Sequence, residues 1–349
     1  MAKNSNLPAA KVAKNDEFYT MLTDIEKEMS HYKDFFKGKV VYCNCDDARE
    51  SNFFKYFSKN FEFLGLKKLI TTGYKAEGKG VVLVYEGDKN GNRKVEDEEI
   101  TIKELEGSGD FRSDECIEFL KEADVVVTNP PFSLFREYVK QLMDYGKKFI
   151  IIGNKGAVSY KEIFKAFQEN KIWIGTTPMG ADLKFILPEH FAKEILENKK
   201  EGSGYVIKDG QVLGRAPIAW FTNVEHKKRN TPLDLYKRYS NEYPHYANYD
   251  AIEISRVENI PMDYDGVMGV PISFLDKYCP AQFEIVGIDS TDFAEEIGIQ
   301  PMGAEFIKRY REHGGTGHYT EGMRNLCYYE QDGTPKKVYS RILIRKRTA

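Results

Sequence analysis

Short apolar runs alternate with stretches in which apolar residues recur every three to four positions, and the alternation continues to about residue 223. Lys39-Val40-Val41-Tyr42-Cys43, Lys68-Leu69-Ile70-Thr71-Thr72, Val125-Val126-Val127-Thr128 and Lys148-Phe149-Ile150-Ile151-Ile152 are brief, β-branched and apolar throughout, which predicts buried strands. Further strands are expected over 172–176 and 219–223. Met21, Leu22, Ile25, Met29, Tyr32 and Phe36 fall at near-helical spacing and predict a helix over 16–36. Phe53, Phe54, Tyr56 and Phe57 mark a helix over about 49–61, and two more are expected over 116–123 and 160–170. Val81-Val82-Leu83-Val84-Tyr85, a turn at Asn90-Gly91 and a return through Val95 predict a surface hairpin. Strands alternating with helices imply an α/β fold built on a doubly wound, mostly parallel sheet. From about Val224 helical periodicity fades, and Tyr, Asn, Gly and Pro become common, as in Tyr243-Pro244-His245-Tyr246-Ala247-Asn248-Tyr249-Asp250. Two regions are therefore expected, 1–223 and a mixed α+β region over 224–349.

A chain of 349 residues with 41% hydrophobic and 30% charged residues has the make-up of a soluble globular protein. No apolar stretch approaches bilayer length, and Met1-Ala2-Lys3-Asn4-Ser5-Asn6 lacks a signal-peptide core, so no membrane and a cytoplasmic location are expected. The five cysteines, Cys43, Cys45, Cys116, Cys279 and Cys327, are odd in number and scattered, which favours reduced thiols. Cys43-Asn44-Cys45 is too tight for a zinc knuckle, and no metal is expected. The net charge of −3 does not by itself invite nucleic acid. Local basic runs stand at 226–229, at 308–311 and from Lys336 to the end. They equally suit a solvated surface. Glu96-Asp97-Glu98-Glu99 is read as a solvated loop or strand edge.

The most specific chemistry lies in Asn129-Pro130-Pro131-Phe132, directly after the third apolar run and before a helix that Ser133 is placed to cap. The turn falls at the carboxyl edge of a strand, where open α/β sheets bind ligands. A conjugated exocyclic amine such as adenine N6 is a poor nucleophile until acceptors hold its hydrogens. The Asn129 side-chain oxygen and the Pro130 carbonyl are suited to that task. Successive prolines fix φ and offer no N–H, which leaves carbonyls available. Pro131 completes the rigid turn, and Phe132 offers a ring on which an extruded base can stack, although it equally suits a core anchor.

These residues resemble the catalytic motif of S-adenosylmethionine-dependent amino-methyltransferases. With Val40-Val41-Tyr42-Cys43-Asn44-Cys45-Asp46-Asp47, Gly109-Asp110-Phe111-Arg112-Ser113, Tyr249-Asp250-Ala251-Ile252, Asp265-Gly266-Val267-Met268-Gly269-Val270-Pro271 and Arg341-Ile342-Leu343-Ile344, the chain from about 16 to 346 resembles the EcoRI-type DNA adenine-N6 methyltransferase family. The resemblance implies an S-adenosylmethionine cofactor. It implies contacts from Tyr19 and Thr20 to the methionine end, and from Asn44 and Asp46 to the amino group and its neighbours. It further implies that Asp110 accepts from the cofactor's adenine amine while Phe111 packs on the purine, and that Asn129 borders both cofactor and target. The first motif has no glycine where most methyltransferases carry a glycine-rich turn. Asp46 or Asp47 equally suits a helix cap.

The function expected is site-specific methylation of N6 of a flipped-out adenine in double-stranded DNA, with 224–349 recognising the target. A monomer is expected, alongside a restriction endonuclease that shares the site without binding the enzyme. The alternatives are an amino-methyltransferase acting on RNA or a protein glutamine, and a catalytically inactive DNA-binding relative.

Overall fold

A computed structural model describes residues 19–45, 47–181, 183–187, 192–193, 196–197, 205–208, 210–215, 217–291, 293–316 and 322–347. The chain divides into two compact units: Met1–Ala157 with Ile174–Val224, and Val158–Trp173 with Glu225–Ala349. The division is not the single cut at 223/224 expected from the sequence. The helix Lys161–Gln168 belongs with the second unit because its buried face, Ile163, Phe164 and Phe167, packs there. Phe164 meets Phe293 edge-to-face at 5.1 Å, and the Gln168 amide donates to the Val286 carbonyl at 3.1 Å.

In the first unit the strands are β1 (Tyr19–Thr20), β2 (Val40–Cys43), β3 (Lys68–Gly73), β4 (Val81–Tyr85), β5 (Ile100–Glu104), β6 (Val125–Thr128) and β7 (Lys148–Asn154). Next come β8 (Trp173–Ile174, of which only Ile174 falls in this unit), β9 (Lys184–Ile186), β10 (Tyr205–Lys208), β11 (Gln211–Arg215) and β12 (Ile218–Thr222). The main sheet runs β5-β4-β3-β2-β6-β7-β12-β8. β3, β2, β6 and β7 are mutually parallel; β4 runs antiparallel between β3 and β5, so β5 points with the parallel strands, and β12 is antiparallel to β7. Every residue of β2 and β6 is buried, as central parallel strands covered on both faces require. The chain moves outward from β2 to β5 and returns as β6 on the other side of β2. This reversal makes a topological switch point between β2 and β6, and the crevice at their carboxyl ends is where such sheets bind ligands.

Three local expectations change. The helix foreseen over 16–36 is a strand pair at Tyr19–Thr20, a helix Leu22–Met29 and a 3-10 turn Lys33–Phe36. The apolar spacing was helical, but Tyr19 and Thr20 pair with Ile186 and Phe185 instead. The partner of β4 is β5, not a return through Val95, and β4 also pairs with β3, so the hairpin is part of the main sheet. The intervening loop is built on Asp88, whose carboxylate accepts from the backbone of Asn90, Gly91 and Arg93. Glu96 and Glu99 form a capping box around a short turn there. Ser133 lies inside a 3-10 turn, Phe132–Leu134, and Leu134 takes the N-cap of the helix Phe135–Asp144.

β1, β9, β11 and β10 form a separate four-stranded sheet that the sequence pattern did not signal. The second unit holds a sheet ordered β13 (Ile252–Glu253), β14 (Met268–Pro271), β18 (Arg341–Lys346) and β15 (Phe283–Ile288), with a hairpin of β16 (Cys327–Tyr329) and β17 (Pro335–Lys337). Among the described residues no helix is long and apolar enough to cross a membrane, and no cluster of three or more His, Cys, Asp or Glu residues suits a metal.

Candidate active site

Three motif segments meet at the carboxyl edge of the parallel strands. Asn44 follows β2 and Asn129 follows β6, and both are buried. The Thr128 hydroxyl donates to the Asn44 carbonyl, and the Tyr138 phenol donates to the Asn44 side-chain oxygen. Tyr138 is buried on the helix that follows the Pro-Pro turn, and burial pushes its phenol well above the ordinary range, so it stays a neutral donor. Its ring meets Phe111 edge-to-face at 5.0 Å. Asn44, Thr128, Tyr138 and Phe111 thus tie the three segments together. Tyr138 is the residue that sequence reasoning passed over; a tyrosine at a buried helical position beside the Asn-Pro-Pro-Phe turn was the available signal. Tyr138→Phe should leave the Asn44 amide oxygen short of a donor in a dry site. We expect a loss of about 1–3 kcal/mol in stability together with weaker cofactor binding. Unchanged cofactor affinity in titration calorimetry would remove Tyr138 from the site.

Asp110 is brought in by the turn before it. Gly109 has φ +82°, and a Cβ there would lie 2.4 Å from the Gly73 carbonyl oxygen, so only glycine lets this loop dock on the carboxyl end of β3. Arg112 grips the Asp110 carboxylate: Nε to Oδ1 at 2.9 Å, a terminal guanidinium nitrogen to Oδ2 at 2.7 Å, and the Arg112 backbone N–H to Oδ1 at 2.9 Å. These bonds hold the Asp110 carboxyl below its ordinary range, so it is ionised at neutral pH. A carboxylate has about four acceptor positions, and the one left at Oδ2 suits an exocyclic amine. Phe111 is buried with its ring 5.3 Å from the Arg112 guanidinium carbon. Arg112 was quoted in the sequence only as part of a motif; here it is what charges and aims Asp110.

The glycine-free first motif has a backbone explanation. Cys45 adopts φ +73°, the left-handed step that glycine ordinarily supplies in such a turn. Asp46 lies outside the described residues. The Asp47 carboxylate accepts from the Arg49 backbone N–H at 2.9 Å and closes the turn, while Ser51 caps the helix Asn52–Lys59. The first residue of that helix, Asn52, donates its amide to the Thr20 carbonyl at 2.8 Å, which brings β1 to the helix that follows β2. Thr20 is 2% exposed, and its hydroxyl has no hydrogen-bond partner among the described residues. Buried hydroxyls are rarely left so, and a bound polar ligand beside it would complete the bonding. Of Tyr19 the structure describes the strand but not the side chain.

In the turn itself, the Pro131 carbonyl accepts from the Leu134 N–H at 3.0 Å, whereas no described group donates to the Pro130 carbonyl. Of the two carbonyls expected to stay available, only that of Pro130 does. Phe132 is half-buried and packs against the main core of the first unit, so the core-anchor reading holds for part of its surface.

The sequence model described as "Adenine-specific methyltransferase EcoRI" matches residues 6–347. The chain belongs to this family. It is 44% identical over 308 residues to the Type II methyltransferase M.EcoRI of Escherichia coli, covering 84% of this chain and 93% of that protein. It is 40% identical over 289 residues to the Type II methyltransferase M.MpnI of Mycoplasma pneumoniae, covering 82% of this chain and 86% of the relative. Among solved structures, one described as a "putative RNA methyltransferase" from Pyrococcus horikoshii shares 13% identity over 64% of this chain and all of its own, with a TM-score of 0.27. This member of the EcoRI-type family is an adenine-specific methyltransferase, and its cofactor is S-adenosylmethionine. The edge just described fits that cofactor: an ionised carboxylate for an amine, a partnerless buried hydroxyl at Thr20, and a turn opened by a left-handed residue.

Proposed function

We propose that this chain methylates N6 of an adenine extruded from double-stranded DNA, at a specific site, with Asn129 and Pro130 holding the target amine. The observation that carries the reading is the Asn129-Pro130 pair at the switch-point edge, one residue supplying a side-chain acceptor and the other a backbone carbonyl to which no described group donates. When bound, the cofactor supplies an electrophilic methyl group. The residues of the chain position the amine and accept its hydrogens as positive charge develops on nitrogen. No strong base is required, since the proton can leave after transfer. Extruding the adenine costs a few kcal/mol, and stacking on the uncovered part of Phe132 would return about 1–3 kcal/mol.

Asp110 would accept from the cofactor's adenine amine, with Phe111 beside its purine, and Thr20 and Tyr19 would close over the methionine end. Asp46 is assigned its cofactor role on the family pattern alone. Because Tyr138 already uses the Asn44 amide oxygen, Asn44 is better suited to fixing the shape of the edge than to gripping the amino group by that atom. We take the second unit to hold the target-recognition surface. The enzyme would act as a monomer in the cytoplasm, and an endonuclease reading the same site would be its counterpart in the cell rather than a bound subunit.

The direct test is to express the chain in a host lacking adenine methylation and sequence the DNA for modified bases. N6-methyladenine at one recurring motif is the expected result. Unmodified DNA, with label appearing in RNA or protein instead, would replace this reading with the alternative substrate.

A further inference from the structure

The basic runs that stand out in the sequence are in good part committed to internal partners. Arg229 lies 3.8 Å over the Trp173 ring and bonds Glu225 at 2.9 Å. Arg309 pairs with Glu305. In the C-terminal run, Lys336 pairs with Glu330, Arg341 with buried Glu253, Arg345 with Glu284 and Lys346 with Asp265, while Arg347 donates to the Pro280 carbonyl. Tyr236-Lys237-Arg238-Tyr239, which the pattern of charge did not single out, is differently placed. Lys237 is exposed and has no carboxylate within 4.0 Å among the described residues. Among the described residues Arg238 pairs only with Asp263, at 3.5 Å, with 78% of its side chain exposed, a contact that solvent screens and a phosphate can displace. Tyr236 is 64% exposed beside them.

These cations edge a cavity of about 340 Å³ whose lining includes Ser240, Tyr243, Ser255 and Asn259. Its wall is braced. Tyr239 stacks on Tyr243 at 5.9 Å and lies against Tyr264 at 4.7 Å, and Tyr243 donates to the Asn259 carbonyl at 2.8 Å. Two carboxylates also line the cavity, but Glu253 is neutralised by Arg341 in a bidentate pair, which leaves Glu242 against two cations. Positive charge, hydroxyl donors and a fixed aromatic wall are the features that grip a nucleic-acid backbone.

We propose that this cavity seats a backbone phosphodiester of the substrate duplex, with Lys237 and Arg238 supplying the charge and Ser240 and Ser255 the neutral donors. The proposal rests on the DNA reading given above. Phosphate contacts fix register without reading sequence, so this subsite would position the duplex rather than choose the target.

The test is duplex affinity measured by fluorescence anisotropy over a salt series, for the full chain and a Lys237→Ala/Arg238→Ala variant. Each lost phosphate contact lowers the slope of log K against log salt by about 0.9, so for a single phosphodiester a reduction of about 0.9 is expected. Cofactor affinity and melting temperature should not change, since both side chains are exposed. The exchange Lys237→Arg/Arg238→Lys should restore the slope. A control, Lys336→Ala/Arg345→Ala, removes the same charge elsewhere and should leave the slope nearly intact. An unchanged slope in the first variant, or an equal drop in the control, overturns the subsite while the DNA reading stands. Wild-type protein that transfers no methyl group to duplex DNA and does not bind it removes the DNA reading, and this proposal with it.

Discussion

Replacement of Asn129 by alanine should lower methyl transfer by at least about 10²–10³-fold at saturating cofactor and duplex, the range seen when a single preorganised polar group is removed from a charge-developing site. The reason is local. The adenine amine keeps its lone pair in the ring until both hydrogens are held, and Asn129 is buried where β6 ends, beside the one turn carbonyl to which no described group donates. Pro130 alone would leave one hydrogen unheld and the nitrogen flat. Because Asn129 ends a strand rather than packing a core, melting temperature and cofactor affinity should stay near wild type. Asn129→Asp keeps an acceptor and should retain more activity than the alanine variant. Single-turnover rates on a methylatable duplex decide the matter, and transfer at the wild-type rate by Asn129→Ala would sink the assigned role.

Glu28→Ala should be the most destabilising single change in the first unit. Glu28 is fully buried on the helix Leu22–Met29 and accepts from the Tyr32 phenol at 2.9 Å. It also accepts from the backbone and hydroxyl of Thr176, at 2.6 and 2.9 Å, and of Thr177, at 2.7 and 2.6 Å. A Cβ on neighbouring Gly175 would lie 2.4 Å from its Oε1, so the segment is fitted closely around the carboxylate. Removing the acceptor strands two backbone N–H groups and three hydroxyls in a dry interior. Each unmet buried donor costs about 1–3 kcal/mol before relaxation, so a total near 3–5 kcal/mol is expected. For a domain of this size that corresponds to a fall in melting temperature on the order of 10 °C. Glu28→Gln keeps one acceptor oxygen and should fall between. A melting temperature within about 2 °C of wild type for the alanine variant would show that the Thr176–Thr177 segment finds other partners.

Glu28 also marks where sequence pattern stops being informative. Its helix is visible in the spacing of Ile25 and Met29, but a glutamate on that helix looks like solvent-facing charge until the Thr176–Thr177 segment arrives from well over a hundred residues away. The four central strands, the α/β class and the Asn129–Phe132 turn were legible by contrast, because each rests on local properties: uniform apolar runs, strand-length segments and proline stiffness. Membership of the EcoRI-type family was legible for the same reason, through contiguous motifs.

What the sequence by itself determined is therefore the type of most long elements and the place of the Asn129–Phe132 turn at the end of a buried strand. Tertiary structure decided which segments meet. It made Tyr19–Thr20 a strand because β9 was there to pair with it, and it sent the return of β4 to β5 because Asp88 and the Glu96–Glu99 turn organise the loop between. It gave Cys45 the left-handed step that no glycine announced, and it joined Asn44 to Tyr138 across the sheet edge. It also paired much of the basic C-terminal run with carboxylates while leaving Lys237 and Arg238 at a cavity. The physical reason is the same throughout. Propensity and periodicity act over a few residues, whereas hydrogen-bond satisfaction and charge pairing are settled by groups distant in the chain that only the fold brings within reach.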